Sequence, residues 1–267
     1  MLNSIAERPE VRATLQEASE ALGEDVTKLI AEGPAEALSL TTNTQPVMLT
    51  AGVAFYRAWL AAGGLAPKVL AGHSLGEYSA LVAAGVISFK DAVPLVRFRA
   101  ETMQTAVPVG TGGMAAILGL DDASVIKVCA EATAASGGVV EAVNFNAPGQ
   151  VVIAGSSDAV TKACELLKAA GAKRALPLPV SAPFHSSLLQ PASEKLKAYL
   201  ANIEFKAPSI AVINNVDVAT LNDPVAIKDA LVRQAAKPVR WHETIQAMAA
   251  QGITPVSYTH LTLPTKA

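Results

Sequence analysis

Three side chains able to move an acyl group stand far apart in the chain: Ser74, Arg99 and His185. Ser74 is the centre of Gly72-His73-Ser74-Leu75-Gly76. The apolar run Val69-Leu70-Ala71 leads in, and a helix-forming stretch leads out. In a strand–turn–helix setting this pattern holds a serine hydroxyl at the tip of a sharp turn, as a nucleophile. Glycines on either side let the turn close tightly. The free amides at the start of the following helix, beginning with Leu75, would face a developing oxyanion. A serine needs a base to take its proton, and a histidine titrates in the right range. The chemistry on offer is transfer or hydrolysis of an acyl group.

The same letters have a plainer reading. Ser74-Leu75-Gly76-Glu77 is also Ser-x-x-Glu, a capping box that only starts a helix. His185 follows Pro183 at a place where a helix begins, and such a residue can simply cap or pack. Arg99 has Leu95, Val96, Thr102 and Met103 as helical neighbours, a mostly apolar face. An unpaired buried charge is costly. Arg99 therefore needs either an internal ion pair or the carboxylate of a substrate, which a guanidinium grips as a fork. Arg97, with Glu101 four residues on, reads as an ordinary surface pair. His73 and His242 read as structural, and His260 receives no role.

The elements that must position these groups are legible in outline. The chain has 267 residues, 51% apolar and 16% charged, with a net charge of −2. That is a globular composition with room for a large core and no footprint for nucleic acid. Cys129 and Cys164 lie in helix-like segments and read as buried small hydrophobes, with neither metal-ligand spacing nor a disulfide framework. The absence of a signal-peptide pattern and of an apolar run of about 18 residues gives the expectation of a cytoplasmic chain with no membrane span.

Residues 1–40 read as helices, broken at Gly33-Pro34. Thr41 to Pro46 reads as a polar loop with Pro46 opening a long buried helix over 47–62. Asp91 reads as the cap of the next helix, with Pro94 in its first turn. Residues 110–179 alternate as strand (113–118), helix (121–135), strand (139–145), strand (151–154), helix (157–170) and strand (174–180). That βαββαβ order is ferredoxin-like and reads as an insert in a larger α/β domain. A strand over 210–214 and helices over 223–236 and 241–251 follow.

Taken together, these residues resemble the malonyl-CoA–acyl carrier protein transacylases, the loading acyltransferases of bacterial fatty acid synthesis. The likeness rests on Gly72-His73-Ser74-Leu75-Gly76-Glu77-Tyr78-Ser79, on Arg99 with Met103-Gln104, and on Asn144-Phe145-Asn146-Ala147-Pro148-Gly149-Gln150. Leu176 to Ser181, Pro183-Phe184-His185 and Asn214-Asn215-Val216 extend it, from about residue 10 to about 253.

The resemblance implies an α/β-hydrolase-like large domain (1–109 and 180–253) carrying a ferredoxin-like (βαββαβ) subdomain (110–179). It implies Ser74 as nucleophile, His185 as base, and Arg99 as the clamp on the malonyl carboxylate. The backbone carbonyl of Gln234 would hold the His185 ring, the Leu75 N–H would be one oxyanion donor, and Phe184 would crowd a branched acyl group. The substrates would be malonyl-CoA and the phosphopantetheine thiol of acyl carrier protein, with no cofactor or metal, and the chain would act as a monomer. An acidic carrier protein could meet Lys173, Arg174 or Arg97.

The family also opens with a strand and a Pro-Gly-Gln-Gly-Ser-Gln loop that supplies an oxyanion donor, whereas Met1-Leu2-Asn3-Ser4 falls after that loop. Residues 254–267 are Thr-rich, lack a helical period and read as a non-native tail. These departures predict impaired activity: one lost oxyanion donor costs about 10²–10³ in rate. Two other readings compete. One is a serine ester or thioester hydrolase with a triad acid. The other is an inactive truncated chain that only binds carrier protein or CoA.

Overall fold

The computed structural model describes residue 2, residues 4–180 and residues 182–254. Most of the expected tail (254–267), together with His260 and Ser181, lies outside the described residues.

The chain is a mixed α/β structure. Four helices come first: α1 (Pro9–Leu22), α2 (Val26–Glu32), α3 (Ala35–Ser39) and α4 (Thr41–Ala61). Strand β1 (Val69–Ala71) then runs into α5 (Leu75–Ala83) and α6 (Phe89–Gln104). The middle of the chain forms β2 (Gly112–Leu118), α7 (Asp122–Ser136), β3 (Val140–Ala147), β4 (Gln150–Ser156), α8 (Ser157–Ala169) and β5 (Arg174–Pro177). A 3-10 turn (Ser187–Leu189), α9 (Gln190–Leu200), β6 (Ala211–Ile213), α10 (Pro224–Gln234) and α11 (Trp241–Ala250) complete it.

Two sheets carry the architecture. β1 pairs in parallel with β6, with Leu70 opposite Val212. Helices cover that pair, as a parallel sheet requires, with Leu49, Tyr78, Val93, Leu95, Leu196 and Leu231 in its core. The second sheet is antiparallel in the order β3-β4-β2-β5. Strand alternation gives it two faces. One face packs Ala115, Ile117, Val151 and Ile153 against Val125, Cys129, Val160 and Leu167 of α7 and α8. The other packs Met114, Val143, Val152 and Ala154 against Leu178 and Phe184. The segment between α10 and α11 is fastened to β3 through Val239, whose N–H donates to Val143 O (2.8 Å) and whose carbonyl accepts from Phe145 N (3.0 Å).

Four local expectations need correction. Thr41 to Gln45 is the first turn of α4 and not a loop, with Pro46 inside the helix. Thr44 Oγ1 donates to Leu38 O (2.6 Å), and burial of Gln45 and Pro46 outweighs the one helical bond that proline removes. Ser88, not Asp91, caps α6: its Oγ accepts from Asp91 N (3.1 Å) and donates to the Asp91 carboxylate (2.6 Å). Arg97 pairs with Glu24 (2.6 Å), in the turn between α1 and α2, rather than with Glu101. The strand expected to reach Val180 stops at Pro177; Leu178 N still donates to Met114 O (2.9 Å), and Pro179 then has no N–H to offer.

Candidate active site

β1 ends in a turn so sharp that Ser74 takes φ 51° and ψ −106° before α5 begins at Leu75. The first glycine makes this possible. A Cβ on Gly72 would lie 1.9 Å from the carbonyl carbon of Gly76, whereas one on Gly76 would meet nothing within 4 Å. Asn215, just beyond β6, straps the turn from the neighbouring strand. Its Nδ2 donates to Gly72 O (2.8 Å), and its Oδ1 accepts the Ser74 N–H (2.6 Å).

The Ser74 side chain makes no capping bond to α5. Glu77 instead turns inward, 2% exposed, and its Oε2 accepts from Asn215 N (3.0 Å) and Gln234 Nε2 (2.8 Å). The capping-box reading therefore does not describe this turn. Burial pushes the Glu77 carboxyl up to about 7, against the opposing pull of the Gln234 and Asn215 hydrogen bonds and the Arg99 charge.

His185 reaches the same point from the loop before α9. It sits at φ 66° and is 4% exposed. Its Nε2 lies 2.7 Å from Ser74 Oγ, and its Nδ1 lies 2.8 Å from the backbone carbonyl of Gln234. A carbonyl only accepts, so Nδ1 carries the proton and Nε2 is free to accept the Ser74 hydroxyl. Burial, then the neighbouring Arg99 charge, pushes the His185 pKa down to about 3. The ring is neutral near pH 7.

Arg99 completes the group from α6, 1% exposed. Its Nη1 donates to Gln45 Oε1 (2.8 Å), and its Nη2 donates to Gln234 Oε1 (2.9 Å) and to Ser74 Oγ itself (3.0 Å). The guanidinium lies over the Tyr78 ring, 5.3 Å from its centroid. Among the described residues its Nε has no hydrogen-bond partner. Every direct partner is uncharged, and among the described residues Arg99 makes no ion pair. Burial lowers its pKa, opposed by Tyr78 and Glu77.

The structure thus gathers Ser74, His185, Arg99 and Gln234 at one point. Leu75 is the first residue of α5, so its N–H belongs to the helix-start amides without an intrahelical acceptor. Phe184 packs between Met103, Leu189 and Ala236 on one side and Met114, Val143, Val152 and Ala154 of the four-stranded sheet on the other. His73 joins the two sheets: its Nε2 meets Asn146 Oδ1 at 2.9 Å, and its ring meets Trp241 edge-on at 5.7 Å. Among the described residues no group of His, Cys, Asp and Glu is placed to hold a metal ion.

Sequence reasoning missed Gln45, Glu77 as an inward carboxylate, and the strap role of Asn215. A glutamine just before a proline in an otherwise apolar helix was the available signal for Gln45.

Known proteins resemble the chain over most of its length. The family model described as acyl transferase domain matches residues 3–257. The malonyl CoA-acyl carrier protein transacylase of Escherichia coli K12 is 59% identical over 248 residues, 93% of this chain and 80% of that protein. Its counterpart in Bacillus subtilis 168 is 47% identical over 246 residues, 92% of this chain and 77% of that protein. A crystal structure of acyl-carrier-protein S-malonyltransferase from Burkholderia pseudomallei superposes with a TM-score of 0.93 at 69% identity, covering 95% of this chain and 82% of that one. A malonyl-transacylase in complex with a type II PKS acyl-carrier protein superposes with a TM-score of 0.92 at 52% identity, covering 95% and 82%.

Proposed function

The chain belongs to the acyl transferase domain family, and from that we infer that it transfers the malonyl group from malonyl-CoA to the phosphopantetheine thiol of acyl carrier protein. The carrier protein is its macromolecular partner, and the step belongs to fatty acid biosynthesis. The observation that carries the reading is Arg99. A buried guanidinium with only neutral direct partners, 3.0 Å from a nucleophilic hydroxyl, suits an acyl group ending in a carboxylate.

The reaction is a two-step acyl exchange. Ser74 Oγ attacks the thioester carbonyl while His185 Nε2 takes its proton. The tetrahedral oxyanion is met by helix-start amides, the Leu75 N–H among them. Collapse breaks the C–S bond, and CoA leaves as the thiol with the proton returned by His185. Malonyl-Ser74 remains. The carrier protein's thiol then gives its proton to His185 and attacks the ester, and Ser74 regains the proton as it leaves.

Gln234 O keeps the imidazole in the tautomer that both steps need. Arg99 favours malonyl over acetyl because an acyl group without a carboxylate leaves the guanidinium without an anion. Phe184 and its packed neighbours leave little tolerance for a branched acyl group. Two buried free thiols, Cys129 and Cys164, accord with a reducing cytoplasmic setting. A serine hydrolase with an acid behind its histidine fits less well, because the group facing Nδ1 is the Gln234 carbonyl.

Intact-protein mass after brief exposure to malonyl-CoA tests this. Wild type is expected to gain one malonyl group and to lose it to holo-acyl carrier protein, and Ser74→Ala to gain none. A folded wild type that takes up no malonyl would refute the reading.

A further inference from the structure

The mechanism above leaves the buried carboxyl of Glu77 unused. Glu77 sits on α5, three residues after the nucleophile, with a single oxygen shared between two other parts of the chain. Its Oε2 accepts the Asn215 N–H (3.0 Å) and the Gln234 Nε2 (2.8 Å). Each of these partners holds one member of the catalytic pair. Asn215 Oδ1 accepts the Ser74 N–H (2.6 Å), and the Gln234 carbonyl accepts from His185 Nδ1 (2.8 Å).

We propose that Glu77 is a positioning residue that sets the distance between nucleophile and base, by fastening the loop after β6 and the end of α10 to the first turn of α5. The inference deepens the acyl-transfer reading and rests on its Ser74–His185 pair.

Hydrogen-bond polarity gives the argument its direction. The Asn215 backbone N–H can only donate, so Glu77 Oε2 is an acceptor whatever the charge on the carboxyl, and the Gln234 group facing it must be a donor. The Gln234 amide nitrogen must then point to Glu77 Oε2 and Ser74 O (3.0 Å), which turns its oxygen to Arg99 Nη2 (2.9 Å). The reverse orientation would set NH₂ against a guanidinium and oxygen against two acceptors. With α10 held in this way, the Gln234 carbonyl faces the His185 ring. The bonds from Glu77 join residues 138 and 157 positions away in sequence, so no local preference supplies this register. Burial without an ion-pair partner penalises the Glu77 carboxylate, as its raised pKa records. A capping glutamate exposed to solvent would not bear that cost.

The test separates positioning from binding and from folding. Glu77→Ala is expected to lower kcat for Ser74 acylation from malonyl-CoA by about 10- to 100-fold, as for two buried donors left unpaired. KM is expected to stay within about threefold, because Arg99 itself is unchanged and keeps its bond to Gln45. Glu77→Gln, whose amide oxygen can accept the same two bonds, is expected to recover to within about threefold of wild type. Circular dichroism and melting establish the folded fraction, and Glu77→Asp, one methylene short, replaces Glu77→Ala if the latter does not fold.

A serine-directed fluorophosphonate probes Ser74 without any malonyl group. Its rate of labelling is expected to fall in Glu77→Ala in step with kcat. Unchanged kcat and labelling in folded Glu77→Ala or Glu77→Asp would overturn the proposal, as would a loss confined to KM. A wild type that labels but does not take malonyl from CoA would refute the acyl-transfer reading instead, and the labelling rates would still decide the role of Glu77.

Discussion

Arg99 Nη2 donates a hydrogen bond to Ser74 Oγ at 3.0 Å, so the group that would select the substrate also touches the atom that would attack it. A donor at Oγ stabilises developing negative charge on the oxygen. Selection and activation are therefore expected to fall together when Arg99 is removed. Arg99→Ala should lower kcat/KM for malonyl-CoA by about 10- to 100-fold, the range for losing charge-assisted hydrogen bonds. Acetyl-CoA should suffer less, since it offers nothing for the guanidinium to hold. Arg99→Lys should recover little, because a point charge cannot reproduce the fork that reaches Gln45, Gln234 and Ser74. Steady-state kinetics with the two thioesters read this directly, and equal losses for both would contradict it.

The His185 ring has a consequence for acid stability. In the folded chain it titrates at about 3, below its ordinary 6.5. Between these values the unfolded chain takes up a proton that the folded site refuses. Its contribution to stability is therefore lost as pH falls below about 6.5, reaching roughly 2 kcal/mol by pH 5. Asparagine tolerates the left-handed backbone at this position. Melting temperatures from pH 7 to 5 should fall more steeply for wild type than for His185→Asn, and parallel curves would count against the assignment.

Glu77 works with the opposite sign. Its carboxyl is held at about 7 in the folded chain against 4.5 in the unfolded one. The neutral form stabilises the fold below about 4.5, and that stability is lost as pH rises through 7. By pH 8 the loss is roughly 3 kcal/mol. Glu77→Gln escapes it. Its melting temperature relative to wild type should therefore rise between pH 5 and pH 8, and a constant difference would exclude a buried titrating carboxyl at this position.

The two glycines around Ser74 are unequal. A methyl group on Gly72 collides with the backbone of Gly76, whereas one on Gly76 points into open space. Gly72→Ala is expected to unfold the turn or move Ser74 off His185, with activity lost by about 10²-fold or more. Gly76→Ala should keep the melting temperature within a few degrees, because alanine suits a helix better than glycine. Thermal melts and fluorophosphonate labelling of the pair check this, and similar damage from both would mean that the turn has room to shift.

The parts of this site that could be read in the sequence share a physical reason. Ser74, Arg99 and His185 each conflict with their surroundings: a serine in a glycine-flanked turn, a cation on an apolar face, and a histidine after a proline turn. The strands and helices of residues 112–177 were legible because their apolar residues repeat with a clear period. What stayed hidden depends on contacts between distant residues. Gln45 looked like one more polar residue before a proline, and only folding places it 2.8 Å from Arg99. Glu77 matched a local capping pattern closely enough to mask its inward turn. Arg97 had an acceptable neighbour in Glu101, yet Glu24 in the turn between α1 and α2 took it. Local chemistry names candidate partners, and tertiary packing chooses among them.

Ser74 at φ 51° and His185 at φ 66° both hold a backbone conformation that L-residues avoid. Such conformations cost on the order of 1–3 kcal/mol each. A laboratory evolution campaign that screened this chain for heat tolerance alone would therefore be drawn to the wrong positions. Glycine at 74 or 185 relaxes the backbone and survives the screen while removing the proposed nucleophile or base. Turnover has to be screened together with melting, because the most accessible gains in robustness lie on the two residues proposed to carry the chemistry.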